Sequence, residues 1–433
     1  MLNKKILDRD KLYLVAISGG ADSVALLMMM LDEGYRVEAV HCNFHLRGEE
    51  ADRDEAFVAG LCERFGVALH RVHFDTRGYA ALHKLSIETA ARDLRYGYFE
   101  RLREDIGAEA IVVAHHRDDN VETVLMNLVR GTGLKGLAGI RPVNGRVIRP
   151  LLDMTREDIE AYIYKRGESF VTDSTNLETD ATRNKYRLEV IPALKEINPS
   201  VARAIDTTAR HLQDADEIVE WALEKMKADV MEEGDDGVVR IDTTLLRQLP
   251  APRYVLFEIC RQYGFLPQQS NVVWAMMEHG EKGKTVASTE YEMASEHNLL
   301  LVARKEEIPQ PVRMPIEGLY VMNGRRLRIE LKKADGFAVV KSKSVACLDA
   351  KTVTFPLVVR PWKSGDRFAP FGMRGTKLVS DYLTDCKLNF FQRRRQLVVE
   401  DATGLIVWLV GERTSEKCRV GEKTETVIVL RME

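Results

Sequence analysis

Cysteine is scarce in this chain, and no two cysteines are spaced as CxxC. The six present (Cys42, Cys62, Cys260, Cys347, Cys386 and Cys418) are scattered over 433 residues. That distribution argues against a disulfide framework and suggests no zinc or iron–sulfur ligand set; the reduced thiols of a cytoplasmic protein are expected. Long apolar runs are missing too. The longest, Val24 to Leu31, is far shorter than the roughly 20 residues that cross a bilayer, so no membrane partner is expected. The opening "MLNKKILDRDKLYLVAISGG" has no sustained apolar stretch and no small-residue cleavage site, and no secretory leader is expected. There are no repeats and no low-complexity tract. A GxxxxGK[ST] pattern is also absent, which excludes a Walker phosphate loop.

A net charge of −3 singles out no partner, but the charge is unevenly spread. Residues 214–236 are strongly acidic, whereas residues 360–395 are rich in arginine and lysine. A polyanion would be repelled by the first stretch and attracted by the second. At about 150 residues per domain, the length suggests roughly three domains. In the first half, strand-like runs at 12–17, 37–43, 67–74 and 110–116 alternate with helix-like stretches at 21–33, 51–65, 84–104 and 118–130. That alternation predicts an α/β domain, a doubly wound parallel sheet with helices on both faces. Residues 183–200 read as its closing helix. Residues 130–140 read as a Gly-rich loop, 201–306 as mostly helical, and the chain beyond about 310 as a small β-rich α+β domain with a hairpin around Ala402-Thr403-Gly404. The expected domains are 1–200, 201–310 and 311–433.

In doubly wound sheets ligands bind beyond the carboxyl ends of the strands. "SGGADS" (18–23), "HCNFHLRGEEAD" (41–52) and "AHHRDDNVET" (114–123) all follow predicted strands. In the first, Gly19 and Gly20 let backbone N–H groups face an anion at a helix start, and Ser18 and Ser23 can donate hydroxyl hydrogen bonds. Asp22 would repel a phosphate unless Mg²⁺ bridged them. A plain glycine turn with Ser18 and Asp22 favouring the helix start is the alternative. In the third loop, Asp119 and Glu122, and Asp118 and Glu122, share a helix face. An acidic first turn would also suit a helix dipole, but that leaves the His115-His116 pair unexplained.

"SGGADS" after a first strand resembles the pyrophosphate-binding loop of the N-type ATP pyrophosphatases. Further motifs narrow the resemblance: "HCNFHLRGEEADRDEAFV", "SIETAARDLRYGYFE", "AHHRDDNVETVLMNLVRGTGLKGLAGI", "RPLLDMTREDIEAYI" and "TDSTNLETDATRNKYRLEVIPAL". In that order they resemble the tRNA(Ile)-lysidine synthases over roughly residues 12–200. "RPWKSGDRFAPFGMRGTKLVSDYLTDCKLNFFQRRRQLVVED" is similar to that family's C-terminal domain. The second loop departs from the pattern: many members have His-x-x-His where this chain has His41-Cys42-Asn43-Phe44, and His45 is given no role. The resemblance implies an AMP-forming ligase. It would attach free L-lysine to C2 of the wobble cytidine, position 34, of a CAU-anticodon tRNA(Ile), through an adenylated cytidine, with ATP and Mg²⁺.

On that resemblance ATP meets Ser18, Gly19, Gly20, Ala21, Asp22 and Ser23, with Asp22 toward Mg²⁺. Catalytic roles fall on Asp22, Arg92, Asp119 and Glu122, and lysine or the activated base falls to His115 and Asp118. Arg183 and Arg187, one helical turn apart below Asp173 and Asn176, read equally as tRNA contacts or as surface arginines beside a capping cluster. In the basic segment Arg360, Lys363, Arg367 and Lys377, with Arg393 to Arg395, can grip RNA phosphates, while interleaved aromatics can stack on bases. Tyr382 and Phe390 read as core. The resemblance also makes a homodimer a reasonable expectation. A tRNA thiolation enzyme of the same superfamily and a non-catalytic tRNA-binding protein are the competing readings. Thiolation generally needs paired cysteines, and a binding protein would have no use for Ser18, Asp22, Arg92, Asp119 and Glu122 together.

Overall fold

The computed structural model describes residues 2–171, 182–280 and 282–433. The chain forms two compact units, Met1–Trp221 and Ala222–Glu433.

The first unit is built on a six-stranded sheet. Its strands are β1 (Leu12–Ala16), β2 (Arg36–Asn43), β3 (Leu69–His73), β4 (Ala110–Val112), β5 (Val143–Asn144) and β6 (Val147–Ile148). They lie in the order β3-β2-β1-β4-β6-β5, all parallel except the edge strand β5. Leu14 and Val15 are both fully buried, as expected for a strand covered on two faces rather than one. The helices are α1 (Ala21–Asp32), α2 (Glu49–Phe65), α3 (Thr76–His83), α4 (Ile87–Asp105), α5 (Arg117–Arg130), α6 (Leu134–Leu137) and α7 (Arg156–Arg166).

One face of the sheet packs against α1, α2 and α7 through Val24, Leu27, Met28, Leu61, Ile159 and Ile163. The other packs Leu14, Val40 and Ile111 against Phe99 and Leu102 of α4. Helix α1 is apolar almost all round because it is enclosed: Val24 through Met28 are completely buried. Truncating Leu27 to alanine there costs about 2–5 kcal/mol. The chain steps outward from β1 to β2 and β3, then returns to place β4 on the other side of β1. The crevice for a ligand therefore opens between the carboxyl ends of β1 and β4.

Boundaries differ from the sequence reading in particular ways. The expected helix at 84–104 begins at Ile87, where the Ser86 hydroxyl accepts from Thr89 N–H, and the separate α3 precedes it. The Gly-rich loop contains the short α6. Thr182–Lys185 and Ile191–Ile197 are α-helical, and Tyr186–Val190 between them is wound as a π-helix. Asp173 and Asn176 lie outside the described residues.

In the second unit the helices Pro252–Gln262 and Pro267–Glu278 accompany a five-stranded sheet that periodicity did not reveal. Its strands, among them Tyr291–Glu296 and Leu299–Arg304, are only three to six residues long. The last third forms a five-stranded and a four-stranded antiparallel sheet sharing one core, with Trp408, Val399, Ile428 and Leu430 at its centre. The expected hairpin pairs Leu397–Glu400 with Ile406–Leu409, and Gly404 takes the left-handed φ of +84° that its turn requires. Among the described residues no helix is long and apolar enough to cross a membrane.

Candidate active site

A cavity of about 450 Å³ opens at the crevice between β1 and β4. Ser18, Gly20, Asp22 and Ser23 line it from the first loop, and His115 and Asp119 from the loop after β4. His41, Asn43 and Arg47 reach it from β2 and the turn beyond, Arg95 and Tyr96 from α4, and Arg183 from the later helix.

The first loop is braced internally. Ser23 Oγ donates to the Gly20 carbonyl at 2.9 Å and accepts from Ser18 N–H at 3.1 Å. Gly19 sits at φ +93°, and a Cβ there would meet Val58 at 3.4 Å and Phe57 at 3.5 Å. The left-handed φ is what requires glycine, since the contacts with α2 are ordinary packing distances. No side chain caps α1, whose N-cap is Gly20. Its first N–H groups and positive dipole end therefore face the cavity, an arrangement suited to an anion.

The second half of the rim is acidic. His116 caps α5: Asp118 N–H donates to its Nδ1 at 3.2 Å, and His116 N–H donates to Asp119 Oδ2 at 3.0 Å. His116 Nε2 lies 3.6 Å from Asp22 Oδ1 and 3.5 Å from Asp119 Oδ2, so the two loops meet across one ring. Asp22 Oδ2 accepts from Arg156 Nη1 at 2.7 Å, while its Oδ1 is buried without a hydrogen-bond partner. Burial pushes the Asp22 carboxyl above its ordinary value, and His116 and Arg156 offset this only in part. At Asp119 burial also pushes upward, but neighbouring positive charge, that of Arg183 included, and the His116 backbone N–H outweigh it and hold the carboxyl low. His115 is driven down to about 4 by burial, with its Nδ1 unpartnered. That ring is neutral at pH 7 and able to hydrogen-bond a neutral group.

Glu122 is 1% exposed and lies behind Asp119. Arg183 Nε donates to its Oε2 at 2.6 Å and Arg187 Nε to its Oε1 at 2.7 Å. Arg183 Nη2 also reaches Asp119 Oδ1 at 3.4 Å. A buried carboxylate needs such partners. The two arginines read as tRNA contacts are therefore seated on the cavity's acids. Asp118 turns away, its Oδ2 accepting from Arg156 N–H at 2.8 Å at the start of α7. Ala21 is buried at the head of α1. Arg92 is exposed, its guanidinium 5.1 Å from the Tyr96 ring centre.

In the basic segment, the expectation that Arg360 grips RNA is corrected. Its side chain is 11% exposed and is held by Asp366 at 2.8 Å and Glu400 at 2.6 Å, bonds that join the strand Leu357–Pro361 to its neighbours. Arg393, Arg394 and Arg395 likewise pair with Glu296, Glu292 and Glu306. Lys363 and Arg367 are exposed, and half-buried Lys377 pairs with Asp385. Tyr382 packs edge-on to buried Phe368, and Phe390 to buried Phe391, as core aromatics.

His116 and Arg156 were given no role of their own in the sequence reading. The His-His pair and the Thr155-x-x-Asp158 capping signal that opens α7 marked their places. Their partnership with Asp22 depends on strand order, which no local pattern reports.

Residues 2–194 match the family model of the PP-loop domain, and residues 233–305 that of the TilS substrate binding domain. A tRNA(Ile)-lysidine synthase of Bacteroides thetaiotaomicron is 44% identical, covering 98% of this chain and 95% of that protein. One from Parabacteroides distasonis is 43% identical over 98% and 96%, and one from Porphyromonas gingivalis 35% over 96% and 93%. With its crevice, its uncapped α1 and this likeness along almost its whole length, the chain belongs to the tRNA(Ile)-lysidine synthases.

Proposed function

We propose that this enzyme joins free L-lysine to C2 of the wobble cytidine of CAU-anticodon tRNA(Ile), at the cost of ATP. The observation that carries the reading is the meeting of an uncapped helix start and the half-buried carboxylates of Asp22 and Asp119 in one cavity at the sheet's switch point, with buried Glu122 joined to that cavity through Arg183. ATP phosphates fit the backbone N–H groups of Gly20, Ala21, Asp22 and Ser23, with the Ser18 hydroxyl beside them. Mg²⁺ fits Asp22, whose buried Oδ1 has no other partner. This ion is usually held by one or two carboxylates together with substrate phosphates. When bound it supplies neutralising charge for those phosphates.

In the first step the cytidine C2 oxygen attacks the α-phosphorus, the bond to the bridging oxygen breaks, and pyrophosphate leaves. In the second, the lysine amine attacks C2, and AMP leaves with the former C2 oxygen. An ammonium with an ordinary pKa near 10.4 must first give up a proton. Asp119, held ionised, and Glu122 supply acidic seats for that cation, provided Arg183 and Arg187 yield part of their hold. His115, neutral and lining the cavity, suits the activated base, which must leave its stack to arrive there. Lys363 and Arg367 suit RNA phosphates, while Lys377 would have to release Asp385. A homodimer belongs to the same proposal, and light scattering checks it.

Burial counts against thiolation: it pushes the Cys42 thiol to about 12 and the Cys62 thiol to about 11, poor settings for a sulfur carrier. Pyrophosphate release and incorporation of labelled lysine, with and without a CAU-anticodon tRNA(Ile) transcript, test the reading. Release that needs the tRNA, with lysine becoming attached, supports it. Release without lysine attachment points to another nucleophile and overturns it.

A further inference from the structure

His116 connects the two halves of the cavity, and its two ring nitrogens carry different duties. Nδ1 accepts the Asp118 N–H at 3.2 Å, which closes the first turn of α5. A nitrogen that accepts cannot also bear the proton, so the ring hydrogen is left on Nε2. That nitrogen points into the gap between the carboxylate of the phosphate loop and the carboxylate of the loop after β4. It lies 3.6 Å from Asp22 Oδ1 and 3.5 Å from Asp119 Oδ2. The ring is 3% exposed, so water does not compete for this position. Asp22 Oδ1, in turn, is buried without a hydrogen-bond partner of its own. The acceptor side is fixed from two further directions: Arg117 N–H donates to the Met154 carbonyl at 2.9 Å, and Arg156 N–H to Asp118 Oδ2 at 2.8 Å. The ring's anchor is thus built into the start of both α5 and α7.

We propose that His116 is a positioning residue for the reaction: its Nε2–H sets the spacing of Asp22 and Asp119, holding the phosphate-binding half of the cavity in register with the half that receives the amine. The inference rests on the function proposed above and deepens it. Like carboxylates facing one cavity repel one another. A ring N–H lying 3.6 Å from an oxygen of one and 3.5 Å from an oxygen of the other offsets that repulsion electrostatically at a fixed place, without a direct hydrogen bond to Asp22. Displacement of reacting groups by about 1 Å costs on the order of 10²-fold in rate, and that is the loss expected when the link is cut.

The two duties can be separated atom by atom. Asparagine carries its amide at the position of Nδ1 and serves well as a helix N-cap, but it does not reach Nε2. Glutamine places an amide N–H at the position of Nε2 and leaves the cap unmade. His116→Asn is therefore expected to keep its melting temperature and to lose about 10²-fold in kcat for tRNA-dependent pyrophosphate release, with the KM for ATP little changed. His116→Gln is expected to melt about 2–4 °C lower, as loss of a cap predicts, and to retain kcat within about threefold. The reverse pattern, with Asn active and Gln inactive, reduces His116 to a helix cap and overturns the proposal. So does equal loss in both variants, or full activity in both.

Long-range ¹⁵N–¹H spectra of the imidazoles, with His116 assigned by its disappearance in His116→Asn, decide the tautomer without any turnover. The Nε2–H pattern is expected, and an Nδ1–H pattern overturns the inference. Wild-type lysine attachment, run beside the variants, reports separately on the functional reading. Failure there leaves the spectra to judge His116.

Discussion

Two groups of arginines look alike in the sequence and differ in the fold. Arg183 and Arg187, in one polar stretch, converge on Glu122 and Asp119 at the wall of a cavity. Arg360 and Arg393 to Arg395, in an equally basic stretch, meet Asp366, Glu400, Glu296, Glu292 and Glu306 inside the second unit. The first group neutralises Asp119, which lines the cavity, and Glu122, buried next to it. The second joins strands and helix ends to one another, and docks the helix Phe390–Arg395 beside Tyr291–Glu296. An arginine becomes a binding group or a brace according to where its acid partner faces. In every one of these pairs except Arg360–Asp366 the partner lies far away in sequence.

Substitutions can sharpen that contrast. The largest effect is expected at the cavity: Asp22→Ala lowers tRNA-dependent pyrophosphate release by about 10³-fold, measured at saturating ATP, with the fold intact by circular dichroism. Next is Arg360→Ala. It strands two carboxylates in a mostly buried site and lowers stability by about 3–5 kcal/mol in urea titration. The slope of tRNA affinity against salt should stay as it was, and a reduced slope would return Arg360 to the RNA.

Acidity gives a further test. The His115 ring titrates at about 4 in the fold against 6.5 ordinarily, because burial disfavours its charged form. A group depressed on folding adds stability that is complete above its unfolded value. That contribution is lost as the pH falls from about 6.5 toward 4. His115→Gln should flatten this part of the stability–pH curve, and an unchanged curve would remove His115 as its source. The smallest effect is expected at the surface, where Lys363→Ala should weaken tRNA binding and cut the log–log salt slope by about 1. Its melting temperature should be unchanged.

The comparison also shows what was legible before any coordinates. The doubly wound parallel class followed from alternating patterns, though the strand order did not, and the phosphate loop followed from two glycines set between a buried strand and an apolar helix. Asp119 and Glu122 were readable because helical spacing is local. The five-stranded sheet of the second unit was not, since strands of three to six residues leave no period to count. Nor was the engagement of Arg360 by Glu400, a cross-strand contact between residues 40 apart. His116 was visible as half of a pair, but its role between Asp22 and Asp119 exists only once β1 and β4 lie side by side.

The central claim is that one cavity joins a phosphate-binding loop to acidic seats for an amine. The most direct test is a rapid-quench single turnover of Glu122→Gln with ATP, lysine and tRNA(Ile), following pyrophosphate and attached lysine together. Pyrophosphate should appear within about tenfold of the wild-type rate, while lysine attachment slows by about 10²-fold and adenylated tRNA accumulates. Equal slowing of both products, or undiminished lysine attachment, would contradict the account.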